Sequence, residues 1–370
     1  MKKTKPDILA YYFPNWHIVP RNEEWHGKGW TEWEVAKCAR PRFEGHKQPK
    51  IPLWGYCDES VPEVMETKID AAISHGVDGF IFDWYWFNDG GYRLGCIDNA
   101  FLKAKNCNDV KFAVMWCNHD PIYVHPGSFK HVKNRDIQLL DGHISEKTFY
   151  EATEHCIKNY FCRENYYKLD GGLYFGVYRA DMLIESFGGI ENCKNMLDDF
   201  RRRAKESGFP TLNINASCTN LPLYKDYEKE AMQIAKAAGF DSVGYYNVVG
   251  DAVGDFPHTT YDAMIKKSED TFTNTLDLAK SQDINFYITA STGWDSSPRT
   301  VQSDLYDDIG YPFSRIINDS TPKKFEKHIA ECKDFCLKND IPLLTIYAWN
   351  EWTEGGYLEP DNEYKYGYLE

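Results

Sequence analysis

Residues 345–360 read TIYAWNEWTEGGYLEP, which places Glu351 and Glu354 three residues apart in a nest of aromatic side chains. Two carboxylates in one partly desolvated site repel each other, so their pKa values separate and one can hold a proton while the other is ionised. Breaking a glycosidic bond asks for such an acid and base. Strand alternation orients the first of them. Leu344, Ile346 and Ala348 make one apolar face suited to a helix layer, so Thr345, Tyr347, Trp349 and Glu351 point the other way. A helical turn or a tight loop would bring Glu354 back to the same side. A plainer role for Glu354 stays open, as a cap on the turn at Gly355-Gly356.

Other residues able to meet a substrate gather at the ends of apolar runs. Trp84, Trp86, Trp116, Trp294, Trp349 and Trp352 fall at or just past such ends, and Trp16, Trp25, Trp30, Trp33 and Trp54 lie in one long connection, with none in a predicted helix. His17, Asp83, Asn118, Arg179, Asn215, Asn247, Asp295 and Arg299 share these addresses. Together they describe an aromatic pocket rich in hydrogen-bonding groups. Sugars suit it, since their C–H faces stack on rings and their hydroxyls need donors and acceptors. Tyr12, His17, Trp30, Asp83, Trp84, Trp116, Asn118, Tyr178, Arg179, Asn247, Trp294, Asp295, Trp349 and Asn350 are the expected substrate-binding residues.

The elements that must hold these residues alternate along the chain. Runs rich in Val, Ile, Tyr, Phe and Trp predict strands at Ile8–Phe13, Gly79–Phe87, Lys111–Cys117, Leu173–Tyr178, Thr211–Ser217, Ser242–Val248, Asn285–Ser291 and Pro342–Trp349. Amphipathic spacing predicts helices at Pro62–His75, Asp98–Asn106, Glu146–Phe161, Ile190–Ser207, Tyr227–Ala238, Thr260–Ser281 and Lys323–Asn339. Three of these end at a stop signal: His75-Gly76, Ser207-Gly208 and Ala238-Gly239. Eight strands alternating with helices predict an α/β fold, a (β/α)8 TIM barrel formed by residues 1–370 as a single catalytic domain. An open doubly wound sheet is the competing architecture, but no GxGxxG or Walker sequence follows the first strand. The last helix is expected to be short or truncated. Long connections, Pro14–Val61 after the first strand and Asn118–Ser145 after the third, belong on the face where strand C-termini converge.

The totals exclude several partners. A formal charge of -14, with no dense run of Lys or Arg, leaves no phosphate track for nucleic acid and nothing for an anionic membrane. No apolar stretch reaches membrane-spanning length. Eleven cysteines lack a CxxC pair, which points to free thiols, including buried Cys332 and Cys336, rather than a disulfide framework or zinc site. No cofactor or metal is expected. Free thiols and the lack of an apolar signal segment near residue 1 predict a cytoplasmic protein, or an exported one whose leader has been removed. The sequence leaves oligomeric state open.

Longer motifs carry a resemblance. AYYFPNWHIVPRNEEWHGKGWTEW, PRFEGHKQPKIPL, VDGFIFDWYWF, GWDSSPR and WNEWTEGGYLEPDNEYKYGYLE, in that order, resemble the WbsX family, found in bacterial polysaccharide gene clusters and labelled glycosyltransferase. That family is similar to glycoside hydrolase family 99, the endo-α-1,2-mannosidases and mannanases, whose closing motif also runs N-E-W-x-E-G and then E-P. The resemblance implies a metal-free barrel in which Glu351 acts as base on a sugar 2-hydroxyl and Glu354 protonates the departing oxygen. It also implies net retention through a 1,2-anhydro sugar. The first loop, with Trp25, Trp30, Glu32 and Trp33, does not map onto family 99. The expected activity is hydrolysis of an α-linked glycan in an oligo- or polysaccharide substrate. Alternatives are a glycosyltransferase of surface-polysaccharide (O-antigen or capsule) assembly and a non-catalytic carbohydrate-binding protein. No sugar-nucleotide site of the Rossmann or DxD kind is visible.

Overall fold

Each of the eight apolar runs forms a strand, and the strands pair in parallel until the last closes on the first. The computed structural model describes residues 5–121, 138–217, 228–249 and 254–370. The strands are β1 (Asp7–Tyr12), β2 (Gly79–Phe87), β3 (Lys111–Trp116), β4 (Gly172–Val177), β5 (Leu212–Ser217), β6 (Ser242–Gly244), β7 (Asn285–Ser291) and β8 (Leu343–Tyr347). β1 pairs with β8 (Asp7↔Leu343) and with β2 (Leu9↔Gly79), which closes the barrel. β6 is shorter than its apolar run. Its ladder stops at Gly244, opposite Ser217, where β5 ends.

Among the described residues, six long helices cover the barrel: α1 (Pro62–Ser74), α2 (Glu146–Asn159), α3 (Ile190–Glu206), α4 (Glu228–Ala237), α5 (Tyr261–Ser281) and α6 (Pro322–Lys338). Ser145, Thr260 and Thr321 cap α2, α5 and α6 by accepting the amides of Thr148, Ala263 and Lys324. The stop signals work as read, with Gly76, Gly208 and Gly239 at φ of 81°, 92° and 94°, a left-handed conformation that glycine adopts without Cβ strain. Tyr227, where the α4 pattern began, lies outside the described residues.

The helix expected at Asp98–Asn106 is replaced by a π turn at Cys96–Ala100 and 3-10 turns at Phe101–Lys103 and Cys107–Asp109. Side chains compete with the helix there. Asn106 donates to the Glu66 carbonyl and to Asp70, while Asp98 accepts from Tyr160. Following β8, the described chain holds a two-residue hairpin, Asn350–Glu351 with Gly356–Tyr357, and then turns, so no eighth long helix is seen. The first long connection contains short helices at Pro20–His26 and Trp33–Lys37, which hold Trp25 and Trp33. In the other, residues 122–137 lie outside the described part.

Alternation sorts side chains between two layers. On β2, Phe82 packs on Phe101 and Trp84 on Tyr160, both outward, while Asp83 and Tyr85 turn inward. Fully burying such a ring contributes about 1.5–3 kcal/mol. The barrel axis is partly polar: Ser242 bridges Asn213 and Asn215, and Thr289 meets Thr345.

Under the mouth, Lys68 of α1 lies buried between Glu59 and Glu359, with Tyr12 donating to Glu59. Asn350 donates to Glu59, and Trp352 Nε1 to Glu359 at 2.7 Å. The network ties α1 to the closing motif. Removing one partner of a buried ion pair strands the others, so Lys68→Ala is expected to cost roughly 3–5 kcal/mol in urea unfolding. A change below about 1 kcal/mol would show that the network adds little.

Candidate active site

Aromatic rings from seven strand ends meet at the C-terminal mouth. Tyr85 of β2 lies 6.0 Å from His119 beyond β3, which is 5.5 Å from Tyr178 beyond β4. Tyr178 is 5.5 Å from Tyr246 beyond β6, and Tyr246 is 5.2 Å from Tyr347 of β8. Trp294 beyond β7 continues the arc, 6.1 Å from Tyr347 and 6.4 Å from Tyr311. Phe13, just past β1, closes the circuit, because the guanidiniums of Arg93 and Arg299 lie 5.2 Å and 5.8 Å from its ring. Seven strands thus deliver one side chain each to a common rim.

Arg299 sits inside this rim among three buried carboxylates. It donates to Glu354, to Glu32 at 3.1 Å, and to Glu351 at 3.4 Å. Glu354 also accepts from Tyr311 at 2.9 Å and from Tyr347. Glu32 accepts from Asn15 at 2.6 Å and from Thr353. The hairpin brings Glu351 and Glu354 onto this one cation, with the Glu354 amide bonded to the Glu351 carbonyl.

A shared proton links Glu351 to Asp83. The Tyr246 hydroxyl lies 2.9 Å from Asp83 Oδ2 and 2.7 Å from Glu351 Oε1. It owns a single proton, so one of the two carboxyls must supply another. Burial pushes Asp83 up to about 8, against the Tyr246 hydrogen bond. Burial and then repulsion from Glu354 push Glu351 well above the usual carboxylate range, against the pull of Arg299. Both carboxyls therefore favour the neutral form more than an ordinary carboxylate does, and the Tyr246 hydroxyl bridges them.

The expected site residues divide. Glu351, Glu354, Asp83, Tyr178 and Trp294 are at the mouth. Trp30 stacks on His26 at 4.2 Å, and Glu32, two residues on, belongs to the Arg299 cluster. His17 is buried, with its ring against Gly95. Tyr12, Trp84, Trp116 and Trp349 are corrections. Tyr12 reaches Glu59 under α1, Trp84 reaches Tyr160, Trp116 stacks on Phe149 of α2, and Trp349 packs on Phe80. Proximity to a strand end does not place a ring at the mouth, because each of these faces the helix layer. For Trp349 the alternation breaks after Tyr347, whose hydroxyl does reach Glu354. Asn118 bonds both backbone groups of Arg179, and Asn350 both of Phe13, so these amides join loops. Arg179 is paired with Asp181. Burial would raise Asp295, but hydrogen bonds from His46, Ser297 and Gln48 hold its carboxyl below the usual range. Asn247 is buried at the end of the β6 run.

Tyr85, Arg93, His119, Tyr246, Tyr311 and Tyr347 were not among the expected binding residues. Period-two reasoning from Asp83 reaches Tyr85, and from Glu351 through Thr345 reaches Tyr347. No local signal reaches Arg93 or Tyr311.

A sequence profile of the family described as Glycosyltransferase WbsX matches residues 8–370. Protein WxcX of Xanthomonas campestris pv. campestris, described as uncharacterized, is 24% identical over 383 residues in strain B100, covering 98% of this chain and 48% of that protein. The chain therefore spans about half the length of the curated relatives it matches. Among solved structures, the GH99 endo-alpha-mannosidase of Bacteroides thetaiotaomicron, in complex with bis-tris-propane, superposes with TM-score 0.60 at 14% identity over 96% of this chain and 87% of that one. A glycoside hydrolase-like protein gives TM-score 0.60 at 15% identity, covering 100% of this chain and 93% of that one. These likenesses bear out the barrel. Among the described residues, no helix is long and apolar enough to cross a membrane.

Two expectations follow from the charges. A carboxyl whose pKa rises on folding from 3.8 to about 8 binds its proton more tightly when folded, so its contribution to stability falls as pH rises across that window. Asp83→Asn should narrow the drop in melting temperature between about pH 5 and about pH 8; a drop as large as in the native protein would discount a buried neutral carboxyl. Arg299→Met, which strands three carboxylates, should lose roughly 3–5 kcal/mol near neutrality and less in acid, read by urea unfolding at both pH values.

Proposed function

The chain belongs to the Glycosyltransferase WbsX family, and on that premise we propose that it is a glycan-processing enzyme, a glycosidase acting on an α-linked glycan at the Glu351–Glu354 pair. Residues 1–370 would act as one catalytic domain. The observation that carries this reading is the convergence of both glutamates on Arg299 inside a rim of aromatic rings. Sugar C–H faces have rings to stack on, and the reacting atoms have carboxylates of unlike environment.

Glu351 would take the proton of a sugar 2-hydroxyl as that oxygen attacks the neighbouring anomeric carbon and the glycosidic bond breaks. Its raised proton affinity suits a base for a hydroxyl, and Tyr246 with Asp83 would steady its protonation state. Glu354 would give a proton to the leaving oxygen, then take one from the water that attacks the anomeric carbon of the 1,2-anhydro sugar, as Glu351 returns its proton to the 2-oxygen and the ring opens. Tyr347, Tyr311 and Arg299 hold its two oxygens in place for that role. Two glutamates on one hairpin serve neighbouring atoms of one sugar more naturally than opposite faces of the bond.

The family description favours a second reading, transfer of a sugar to a growing surface polysaccharide. The same carboxylates would then deliver the intermediate to an acceptor hydroxyl instead of water. Incubation with labelled nucleotide sugars and acceptor glycan separates the two, since only a transferase incorporates label.

Glu351→Gln and Glu354→Gln should each lower turnover of an α-glycan substrate about 10²–10⁴-fold while unfolding close to the native temperature. A substrate lacking the 2-hydroxyl should not react. Unchanged turnover in both variants would sink the assignment.

A further inference from the structure

Arg93 follows the edge strand Gly90–Tyr92, which pairs with Tyr85–Phe87 of β2. Its φ of 58° is a left-handed conformation that non-glycine residues adopt only where the surroundings impose it. The result is a guanidinium 4.7 Å from the ring centres of both Tyr85 and Tyr92 and 5.2 Å from that of Phe13. Nearby Arg21, Arg179 and Arg299 each have a carboxylate partner. Among the described residues, Arg93 has none within ion-pair distance, and its buried Nε lacks a hydrogen-bond partner.

Other orphaned polar atoms surround it. Buried His17 Nδ1, His119 Nδ1 and Asp83 Oδ1 also lack partners among the described residues, and the charge of Arg93 is felt at each. Native structures leave few buried polar atoms unsatisfied, so several in one place mark a surface built for a ligand. Burial, with Arg93 adding to it, drives His17 down to about 4 and His119 to about 3, so near neutrality both are uncharged. Uncharged imidazoles suit sugar hydroxyls, and the fork of a guanidinium suits a carboxylate or phosphate. Arg93 and Arg299 lie 5.2 Å and 5.8 Å from the same Phe13 ring, which puts this corner next to the Arg299 cluster.

We infer that Arg93, with His17 and His119, forms a subsite for an acidic sugar, whose carboxylate or phosphate takes the guanidinium while its hydroxyls take the imidazoles. The inference rests on the glycan reading above, and it would make the substrate an anionic glycan.

Calorimetry on the full chain tests it without turnover. The probes are disaccharides containing glucuronate or galacturonate, their carboxyl-reduced counterparts, and a sugar phosphate beside its neutral parent. The native protein should prefer one acidic class over its neutral match by about tenfold or more. Arg93→Gln should abolish that preference and Arg93→Lys should keep part of it, with melting temperature reporting on the fold of both. The class preferred distinguishes carboxylate from phosphate. No preference in the native protein, or an undiminished preference in folded Arg93→Gln, overturns the inference. An Arg93-dependent preference in a protein whose glutamate variants show no catalytic defect would preserve the subsite and remove the enzyme reading.

Discussion

One guanidinium organises the mouth of this barrel. Arg299 is buried against Glu32, Glu351 and Glu354, which come from the first long connection and from the hairpin after β8. Uncompensated, carboxylates this deep could not stay ionised together, because desolvation and mutual repulsion both favour the neutral form. Arg299 relieves part of that, and Thr353, Asn15, Tyr311 and Tyr347 supply hydrogen bonds to the remaining oxygens. The position of each loop is therefore coupled to the charge it brings.

That compensation is incomplete. Burial above all, and then repulsion from Glu354, raises the proton affinity of Glu351 and Asp83, which Tyr246 bridges, and the nearby guanidiniums offset only part of it. Other buried acids have partners of their own. Asp295 is held by His46 and Gln48, and Glu59 by Lys68 and Tyr12. Lys68 and its partners anchor the closing motif from below, while Arg299 draws it inward from above.

Alternation in the strands explains which aromatic residues matter. The tryptophans near strand ends are mostly helix-side packing, as Trp84, Trp116 and Trp349 show. The rim is made largely by tyrosines, Tyr85, Tyr178, Tyr246 and Tyr347, with Phe13, His119 and Trp294 filling the gaps. A hydroxyl on an inward ring does two jobs there, offering a face to stack on and a proton to a carboxylate.

The sequence by itself determined the strand and helix order, because period-two and period-3.6 patterns and glycine stops are local properties. It therefore determined the barrel, and it brought Glu351 and Glu354 forward as a pair. Tertiary structure alone decided their surroundings. Glu32 reaches Arg299 across 267 residues and Tyr246 reaches Asp83 across 163, separations at which no periodicity carries information. It also decided which side of each strand end faced the mouth of the barrel, where turns after Tyr347 and at Arg93 override alternation. Burial and charge pairing depend on those long-range contacts, so pKa values and orphaned polar atoms become legible only once the barrel has closed.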